Sequence, residues 1–587
     1  MTHVVVVGGG ISGLAAAHRL RVLLGSRVRL TVVEQAGAVG GKLRTAELAG
    51  VGYDVGAETF LVRRPEAVTL VKELGLAGCL VHPTPARAGL RVGGATVPLP
   101  GRTMLGVPAD PDGLAGVLTA DGLALARAER DRPLLWSSGA DVAVGPLVTE
   151  RFGVEVTQRL VEPLLGGVYA GRASALGLRA TMPALAAELD AAALAGRPTS
   201  LTSSVAAVLR DEPGSVLRAS GSVPREPGSV PREAGSVPRE TPGSVLPASG
   251  SVPRASGSVP REAPGAPVFG ALVGGMRVLV DALRAASGAE VRTGLPVRAL
   301  HRGAGGWRVE IGAAARPELV DADAVLLAVP PPALRRLLAP LSPAGSAAAA
   351  GIDVASMAIV ALALPGDVAL PESSGVLVGE AEPVHAKAFT YSGRKWAHLR
   401  GGPVLVRASI GRHGDGGLPP AGGGGVGVSQ GGFLPAGGRG AGLLPADDRR
   451  VDILPADDRR GAGLPGDDRR VDLSPGDDRR GDLLRADDDE LVAAVRADLA
   501  TLTGITATPL DSLVVRWGGG LPQYEVGHLD RVAAIEAAVA NLPGLAVAGA
   551  ALRGVGIAAC IGTADAAAGH IAEHLAARDG SMSAWPG

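Results

Sequence analysis

The chain has 587 residues, of which 46% are hydrophobic and 20% are charged, and its formal net charge is −1. This length supports a large buried core and more than one domain. The near-zero charge and an aromatic content of only 2% argue against a basic surface with stacking platforms, so we expect no nucleic-acid partner.

The cysteine content and the absence of long apolar runs bear on the cellular compartment. Cys79 and Cys560 are the two cysteines and form no C-x-x-C pair, so we expect two buried thiols, no disulfide framework and no metal. The chain passes from Met1 almost directly into a strand and has no uninterrupted apolar run of about 18 residues, which predicts neither a signal peptide nor a spanning helix. These features favour a cytoplasmic protein.

The N-terminal pattern predicts a strand, a tight turn and a helix. The β-branched residues of Val4–Val7 suit a buried parallel strand. Gly8, Gly10 and Gly13 follow with the spacing G-x-G-x-x-G, ahead of a helical segment, Leu14–Leu20. In a dinucleotide site these glycines permit the turn, the approach of a pyrophosphate and close helix–strand packing, and the helix N-terminus attracts the phosphates.

A second strand completes the dinucleotide pattern. Val28–Val33 ends at Glu34, about 20 residues after the last glycine, where a carboxylate accepts hydrogen bonds from a ribose. The competing interpretation, a glycine-rich strand–turn–helix that binds nothing, leaves Glu34 unexplained. We therefore predict a dinucleotide-binding site.

The residues after Glu34 favour FAD over NAD. Gly40-Gly41-Lys42 follows the ribose acid, and Asp54–Phe60 reads DVGAETF. This pattern resembles the FAD-binding flavoproteins that include monoamine oxidases, phytoene desaturases and protoporphyrinogen oxidases. The resemblance implies that the basic residue of the G-G-K turn and the G-x-E segment lie near the flavin.

Hydrophobic periodicity and turn residues predict the remaining elements. In chain order these are the helix Pro65–Leu76, the hairpin Leu90–Pro100, a helical region over Leu114–Ala187 with one helix at Pro146–Leu165, the helix Arg277–Arg284, the strand Glu290–His301 paired with Trp307–Ile311, the strands Ala324–Pro330, Ser356–Leu364 and Val404–Ile410, the helix Leu491–Leu502, the strand Leu545–Gly549 and the helix Ala564–Ala577.

Two repeats interrupt these elements. Glu212–Pro264 repeats a Gly-Ser-Val-Pro-Arg-Glu heptad, in which the proline prevents a helix and the few apolar positions cannot form a core. The second repeat, 416–488, contains decamers that end Asp-Asp-Arg-Arg. Its period fits neither an EF-hand nor an RTX calcium repeat. We predict that both repeats are disordered insertions.

Without the repeats, the chain resembles the bacterial oxygen-dependent coproporphyrinogen III and protoporphyrinogen oxidases of the flavin amine oxidase superfamily. The most specific matching segments are PLLGGVYAG within 161–173, PQYEVGH within 521–532 and GVGIAACI within 548–561. This resemblance implies an α/β fold with a Rossmann-like FAD-binding domain, a mixed-sheet substrate domain and a helical subdomain. The domain boundaries it implies are 1–85, 267–345 and 517–580 for FAD binding, 86–190 for the helical and substrate-cleft region, 346–415 and 489–516 for the substrate domain, and 191–266 and 416–488 for the insertions.

The resemblance also implies the residues that contact FAD. These are Gly8, Gly9, Gly10, Ile11, Ser12 and Gly13 at the pyrophosphate, Glu34 and Gln35 at the ribose, Lys42, Gly56, Ala57, Glu58 and Thr59 near the flavin, Val297 on the adenine side, Trp517 against the flavin, and Val555, Gly556 and Ile557 beside its ring. For Val297 and Trp517, ordinary core packing is the competing interpretation. Arg87 and Arg91 are candidates for the substrate propionates, because arginine binds carboxylates through two hydrogen bonds, although both also suit a surface role.

The implied activity is the oxidation of coproporphyrinogen III by dioxygen through FAD, with hydrogen peroxide as product. No acid–base residue is predicted, since the flavin accepts the hydride and the protein chiefly orients the substrate. Protoporphyrinogen IX is the alternative substrate, and amine oxidases, carotenoid desaturases and a repeat-based scaffold are remoter alternatives. Peripheral membrane contact and transfer of the product to ferrochelatase stay open.

Overall fold

The computed structural model of the chain describes residues 1–211, 267–303, 305–415, 428–430 and 483–578. The heptad repeat and nearly all of the decamer repeat lie outside these residues. The predicted start of the first insertion at residue 191 is too early, because Leu201–Asp211 forms a helix. Its Leu201 and Val205 are fully buried in the helical region, which explains why this segment is ordered.

A five-stranded parallel sheet forms the centre of the predicted FAD-binding domain. Its strands, in spatial order, are Glu290–Arg292, Val28–Val33, Thr2–Val7, Ala324–Leu327 and Leu545–Val547. Val4–Val7 is buried in the middle of this sheet, as the run of β-branched residues predicts. The strand, turn and helix at the N-terminus are therefore confirmed.

A second, mostly antiparallel sheet has eight strands and is the long sheet of this fold. Its strands, in spatial order, are Val428–Gln430, Asp511–Pro522, Val354–Leu364, Val404–Ile410, Ala388–Tyr391, Gly375–Val378, Ala88–Val92 and Ala95–Pro98. Successive residues of Val354–Leu364 belong to hydrophobic clusters on opposite faces of this sheet. Both faces of its centre are therefore covered.

The remaining strands form smaller sheets. They are Val297–Gly303, Gly306–Ala313 and Arg316–Ala322 in one sheet, Phe60–Leu61, Phe269–Leu272 and Leu80–Val81 in a second, and the pairs Thr45–Leu48 with Val51–Asp54 and Thr103–Met104 with Val107–Pro108. The predicted single strand Glu290–His301 is wrong, since it is divided between two sheets. Gly294, with φ of +72°, turns the chain there, and the following Pro296 has no N–H for a ladder.

The helices flank the parallel sheet and form a separate helical region. They are Ile11–Leu24, Pro65–Glu73, Ala120–Ala128, Val144–Phe152, Val154–Val156, Glu162–Tyr169, Leu178–Thr181, Pro183–Leu194, Leu201–Asp211, Arg277–Ser287, Pro331–Leu338, Pro343–Ala350, Ser392–Lys395, Asp488–Thr503, His528–Ala540 and Ile557–Arg578. The predicted helix Pro146–Leu165 is interrupted at Gly153, whose φ of +88° ends one helix before the next begins. Among the described residues, no helix combines the length and the apolar character needed to cross a bilayer.

Small residues allow the first and last helices to pack closely against the parallel sheet. Ala15–Ala17 of the first helix and Ala567 and Ala568 of the last helix are buried in one hydrophobic cluster. Alanine brings the helix backbones near each other without leaving voids. This packing places the C-terminal segment beside the N-terminal glycine loop, where the candidate site lies.

Candidate flavin-binding site

The glycine loop has the geometry of a phosphate-binding turn. Gly8 has φ of +103°, and a Cβ on Gly13 would overlap the carbonyl oxygen of Gly8. By contrast, a Cβ on Gly10 would meet no atom within 4 Å. The helix Ile11–Leu24 begins there without a side-chain cap. Its first N–H groups therefore face an open space suited to an anion.

Glu34 is located at the end of its strand and fixes this loop. Its Oε2 accepts a hydrogen bond from the backbone N–H of Gly9 at 2.7 Å, and its Oε1 accepts one from Ala36 at 2.8 Å. An ionised carboxylate has about four lone-pair sites, so capacity is left for ribose hydroxyls. Gln35, which follows it, is exposed.

The adenine-side segment lies next to Glu34. The N–H of Leu295 donates to the carbonyl oxygen of Glu34 at 3.0 Å. Val297 is buried at the start of its strand, and its carbonyl oxygen accepts from Arg336 at 2.8 Å. The predicted backbone contact of Val297 with adenine stays a prediction.

The G-G-K turn packs directly on the glycine loop and on the G-x-E segment. Gly40 N–H donates to the carbonyl oxygen of Gly9 at 2.8 Å, and Ala57 N–H donates to the carbonyl oxygen of Lys42 at 2.9 Å. Gly56 is required here because a Cβ would overlap the Lys42 carbonyl oxygen and lie 3.3 Å from the Trp517 ring. Trp517 Nε1 in turn donates to the carbonyl oxygen of Val55 at 3.1 Å.

The Lys42 ammonium has no hydrogen bond or ion pair within the part of the chain that the structure describes. Lys42 keeps exposed surface, yet protein atoms surround it closely enough for desolvation to lower the pKa of its ammonium. Cys560 is among its neighbours. An unpaired cation at this place fits a cofactor that carries negative charge.

The C-terminal segment reaches the same place. Ile557 begins the last helix, and Gly556 and Thr59 both have accessible surface. Cys560 is buried, and this burial raises the pKa of its thiol. The glycine loop, the G-G-K turn, Trp517 and the C-terminal segment therefore meet around one site.

Comparisons with known proteins identify the family. Residues 11–416 and 470–572 match the family model described as "Flavin containing amine oxidoreductase". The chain belongs to this family. The predicted flavin cofactor and the predicted superfamily fold are thereby confirmed.

Relatives named coproporphyrinogen III oxidase match nearly the whole chain. A coproporphyrinogen III oxidase of Mycobacterium bovis is 36% identical over 573 residues, which is 98% of each chain. A coproporphyrinogen III oxidase of Bacillus subtilis is 25% identical over 96% of this chain and 97% of its own. These proteins are relatives of this flavin-containing oxidoreductase.

Solved structures agree on the fold. A protein assigned as a protoporphyrinogen oxidase from Exiguobacterium sp. 255-15 superposes with a TM-score of 0.68 at 24% identity, covering 97% of this chain and 99% of that one. Cyclohexylamine oxidase from Brevibacterium oxydans superposes with a TM-score of 0.56 at 14% identity, covering 98% of this chain and 99% of that one.

Two cations that the sequence analysis missed hold the G-x-E segment of this flavin-containing oxidoreductase. The Glu58 carboxylate pairs with Lys395, and its Oε2 lies 3.5 Å from Nη1 of Arg407. Arg407 Nη2 also donates to the carbonyl oxygen of Gly56 at 2.6 Å. Burial acts to raise the pKa of Glu58, but Lys395 and Arg407 outweigh it and keep that pKa below its usual value. Since both cations are over 330 residues away in sequence, no local pattern points to them.

The arginines predicted for the propionates lie at one end of the long sheet. Arg91 Nε is 3.3 Å from Oε2 of the buried Glu382, so its charge is already matched. Arg87 is exposed, and its carbonyl oxygen accepts from Ser374 N–H at 2.9 Å. Contact of either arginine with a substrate stays a prediction.

A buried charged cluster joins the helical region to the long sheet. Arg412 Nη1 lies 3.4 Å from Oε2 of Glu162, and Arg172 donates to the carboxylate of Asp415 at 2.8 Å. Burial is the main reason that the pKa of Glu162 rises to about 7. Burial likewise lowers the pKa of Lys387 to about 7. Burial therefore brings the pKa values of Glu162 and Lys387 close to neutral pH.

Proposed function

We propose that this chain oxidises coproporphyrinogen III to coproporphyrin III, with FAD as cofactor and dioxygen as the final electron acceptor. The observation that carries the proposal is the 36% identity to a coproporphyrinogen III oxidase over 98% of both chains. Overall, one porphyrinogen and three dioxygen molecules give one porphyrin and three hydrogen peroxide molecules.

FAD when bound supplies the hydride acceptor and passes the electrons on to dioxygen. The protein's part is to bind and orient. The glycine loop binds the pyrophosphate through backbone N–H groups, and Glu34 binds the ribose. Lys42 supplies a positive charge near the flavin, and Arg407 fixes the carbonyl oxygen of Gly56. The walls built by Trp517 and the C-terminal segment exclude water from the reacting carbon.

Protoporphyrinogen IX is the second candidate substrate. The Exiguobacterium structure carries that assignment, and a protoporphyrinogen oxidase of Arabidopsis thaliana is 32% identical over 192 residues, or 31% of this chain. The longer match to coproporphyrinogen III oxidases favours a substrate with four propionates. Peripheral membrane contact and transfer of the product to ferrochelatase stay predictions within this proposal.

Amine oxidation with covalently bound flavin has less support. Cys560, the one cysteine in the C-terminal flavin segment, is buried and has a raised thiol pKa, so it is a poor nucleophile for flavin attachment. Acid precipitation of the purified holoprotein should leave the yellow colour in the supernatant. Colour that stays with the pellet would contradict noncovalent binding.

The experiment that tests the proposed reaction measures products in air. The FAD-loaded protein is given coproporphyrinogen III, and coproporphyrin fluorescence and peroxide are recorded together. We expect about three peroxide molecules per porphyrin, from the three two-electron steps. A porphyrin yield equal to that of the substrate-only blank would overturn the proposal, and a porphyrin yield without peroxide would overturn dioxygen as acceptor.

A further inference from the structure

A short turn, residues 550–554, directly precedes the segment that we place beside the flavin. Gly554 has φ of +141°, and a Cβ there would lie 2.6 Å from Ala559 Cβ. The N–H of Gly549 before the turn donates to Thr563 Oγ1 at 3.0 Å. The conformation of this turn therefore sets where Val555–Ile557 begins.

The hydroxyl of Tyr524 closes the turn from both ends. It donates to the carbonyl oxygen of Ala550 at 2.7 Å and accepts from the N–H of Gly554 at 2.6 Å. The side chain is 1% exposed, so water cannot readily replace either bond. Removing the hydroxyl leaves the Gly554 N–H and the Ala550 carbonyl, both partly buried, without this partner.

His528 supports the middle of the same turn. Its ring stacks on Tyr524 with centroids 3.8 Å apart, and Nε2 lies 3.0 Å from the carbonyl oxygen of Leu552. Since a carbonyl only accepts, Nε2 carries the proton. The Nδ1 atom is buried without a hydrogen-bond partner among the described residues, which fits a neutral ring, and burial lowers the pKa of His528.

Tyr524 and the preceding Gln523 also contact the helical region. Tyr524 and Tyr169 have ring centroids 5.4 Å apart, and Gln523 Nε2 donates to the carbonyl oxygen of Tyr169 at 2.9 Å. The three most specific sequence segments, which contain Tyr169, Tyr524 and Gly554, thus meet at one place. Their shared role is not explained by FAD binding through the glycine loop.

We propose that Tyr524 and His528 are positioning residues: they fix the 550–554 turn so that the backbone of Val555–Ile557 is presented to the flavin ring in one geometry. This inference rests on the proposed flavin contact of that segment. Neither side chain is a catalytic residue, because each acts through the turn.

The test compares Tyr524→Phe with Tyr169→Phe. Both changes remove one hydroxyl from the same aromatic group, but the Tyr169 hydroxyl has no hydrogen bond within the described part of the chain. For Tyr524→Phe we expect about tenfold weaker FAD binding, measured by titration of the apoprotein with FAD. We also expect an altered visible circular dichroism spectrum of the bound flavin, while Tyr169→Phe keeps the wild-type affinity and spectrum.

Three results would overturn the inference. The first is wild-type FAD affinity and flavin spectrum in Tyr524→Phe, and the second is an equal loss in Tyr169→Phe. If Tyr524→Phe does not fold, His528→Gln replaces it, and unchanged FAD affinity in that variant is the third. Failure of the proposed reaction is distinguishable, because it appears as FAD-loaded wild-type protein that does not oxidise porphyrinogens.

Discussion

Replacing Lys42 with Met tests whether its unpaired ammonium is part of the flavin site. Methionine keeps the length and apolar stem of the side chain and removes the charge. In the apoprotein this charge has no partner within the described residues, and desolvation already lowers its pKa. The variant should therefore be more stable than wild type without FAD and should bind FAD more weakly.

The size of the effect follows from electrostatics. Opposite unit charges about 4 Å apart contribute about 4 kcal/mol at an effective dielectric constant of about 20. The side chain keeps exposed surface, so solvent screening and the cost of desolvation reduce this to about 2 kcal/mol. That corresponds to about 30-fold weaker FAD binding. With the same discount, we expect a gain in apoprotein stability of about 0.5–1 kcal/mol.

The pH dependence adds a second readout. Because the folded-state pKa of Lys42 lies below the ordinary lysine value of 10.5, the unfolded chain binds more protons than the folded chain between these two pKa values, and apoprotein stability rises with pH there. In Lys42→Met, this contribution to the rise of unfolding free energy with pH should vanish.

The assays are FAD titration and denaturant unfolding of the apoprotein, with Lys72→Met as the matched control. Lys72 is exposed on a surface helix, so its variant should match wild type in both measurements. Unchanged FAD affinity in Lys42→Met, or a loss of apoprotein stability, would refute the assignment of Lys42 to the cofactor site.

Three further substitutions test the flavin site and the buried charged cluster. Gly13→Ala should abolish FAD binding or folding, because its Cβ would overlap the backbone of Gly8. The control Gly37→Ala, whose Cβ meets nothing within 4 Å, should retain FAD. Equal retention of FAD in both variants would contradict the loop geometry. Arg407→Met removes the charge and the hydrogen-bond donor that contact the G-x-E segment, and it should weaken FAD binding about tenfold. Arg335→Met, on an exposed helix surface, is the control in the same FAD titration. In wild type, the pKa of Glu162 is raised from 4.5 to about 7, so its contribution to stability is present below about pH 4.5 and is lost as the pH rises through 7. Glu162→Gln should therefore flatten unfolding free energy against pH in this window, and an unchanged slope would contradict the raised pKa.

Local sterics made the N-terminal part of the site predictable from sequence. The valine run, the spacing of three glycines and the acid after the second strand each constrain the backbone within a few residues. A Cβ on Gly13 would overlap the backbone of Gly8, and Glu34 fixes the loop through the N–H of Gly9. Such requirements are visible in sequence because they depend on neighbours along the chain.

Contacts between distant segments were not predictable in the same way. The pairing of Glu58 with Lys395 and Arg407 joins the first domain segment to a short helix and a strand far along the chain. Likewise, Arg91 faces Glu382 rather than an open surface. A charged residue gives no sequence signal of which opposite charge the fold will bring to it.

Periodicity alone also failed at element boundaries. The residues 290–301 read as one apolar-alternating strand, yet Gly294 and Pro296 divide them between two sheets. Gly153 similarly interrupts the predicted long helix. In each case one residue with a special backbone requirement outweighs the hydrophobic pattern around it.

The most direct test of the central claim is anaerobic rapid mixing of the FAD-loaded protein with coproporphyrinogen III, with protoporphyrinogen IX and with an amine, while flavin absorbance is followed. The account predicts that coproporphyrinogen III bleaches the flavin fastest and that admitting air restores the absorbance and releases coproporphyrin. Faster bleaching by protoporphyrinogen IX would change the substrate assignment alone. Bleaching by the amine and by neither porphyrinogen would contradict porphyrinogen oxidation by this chain.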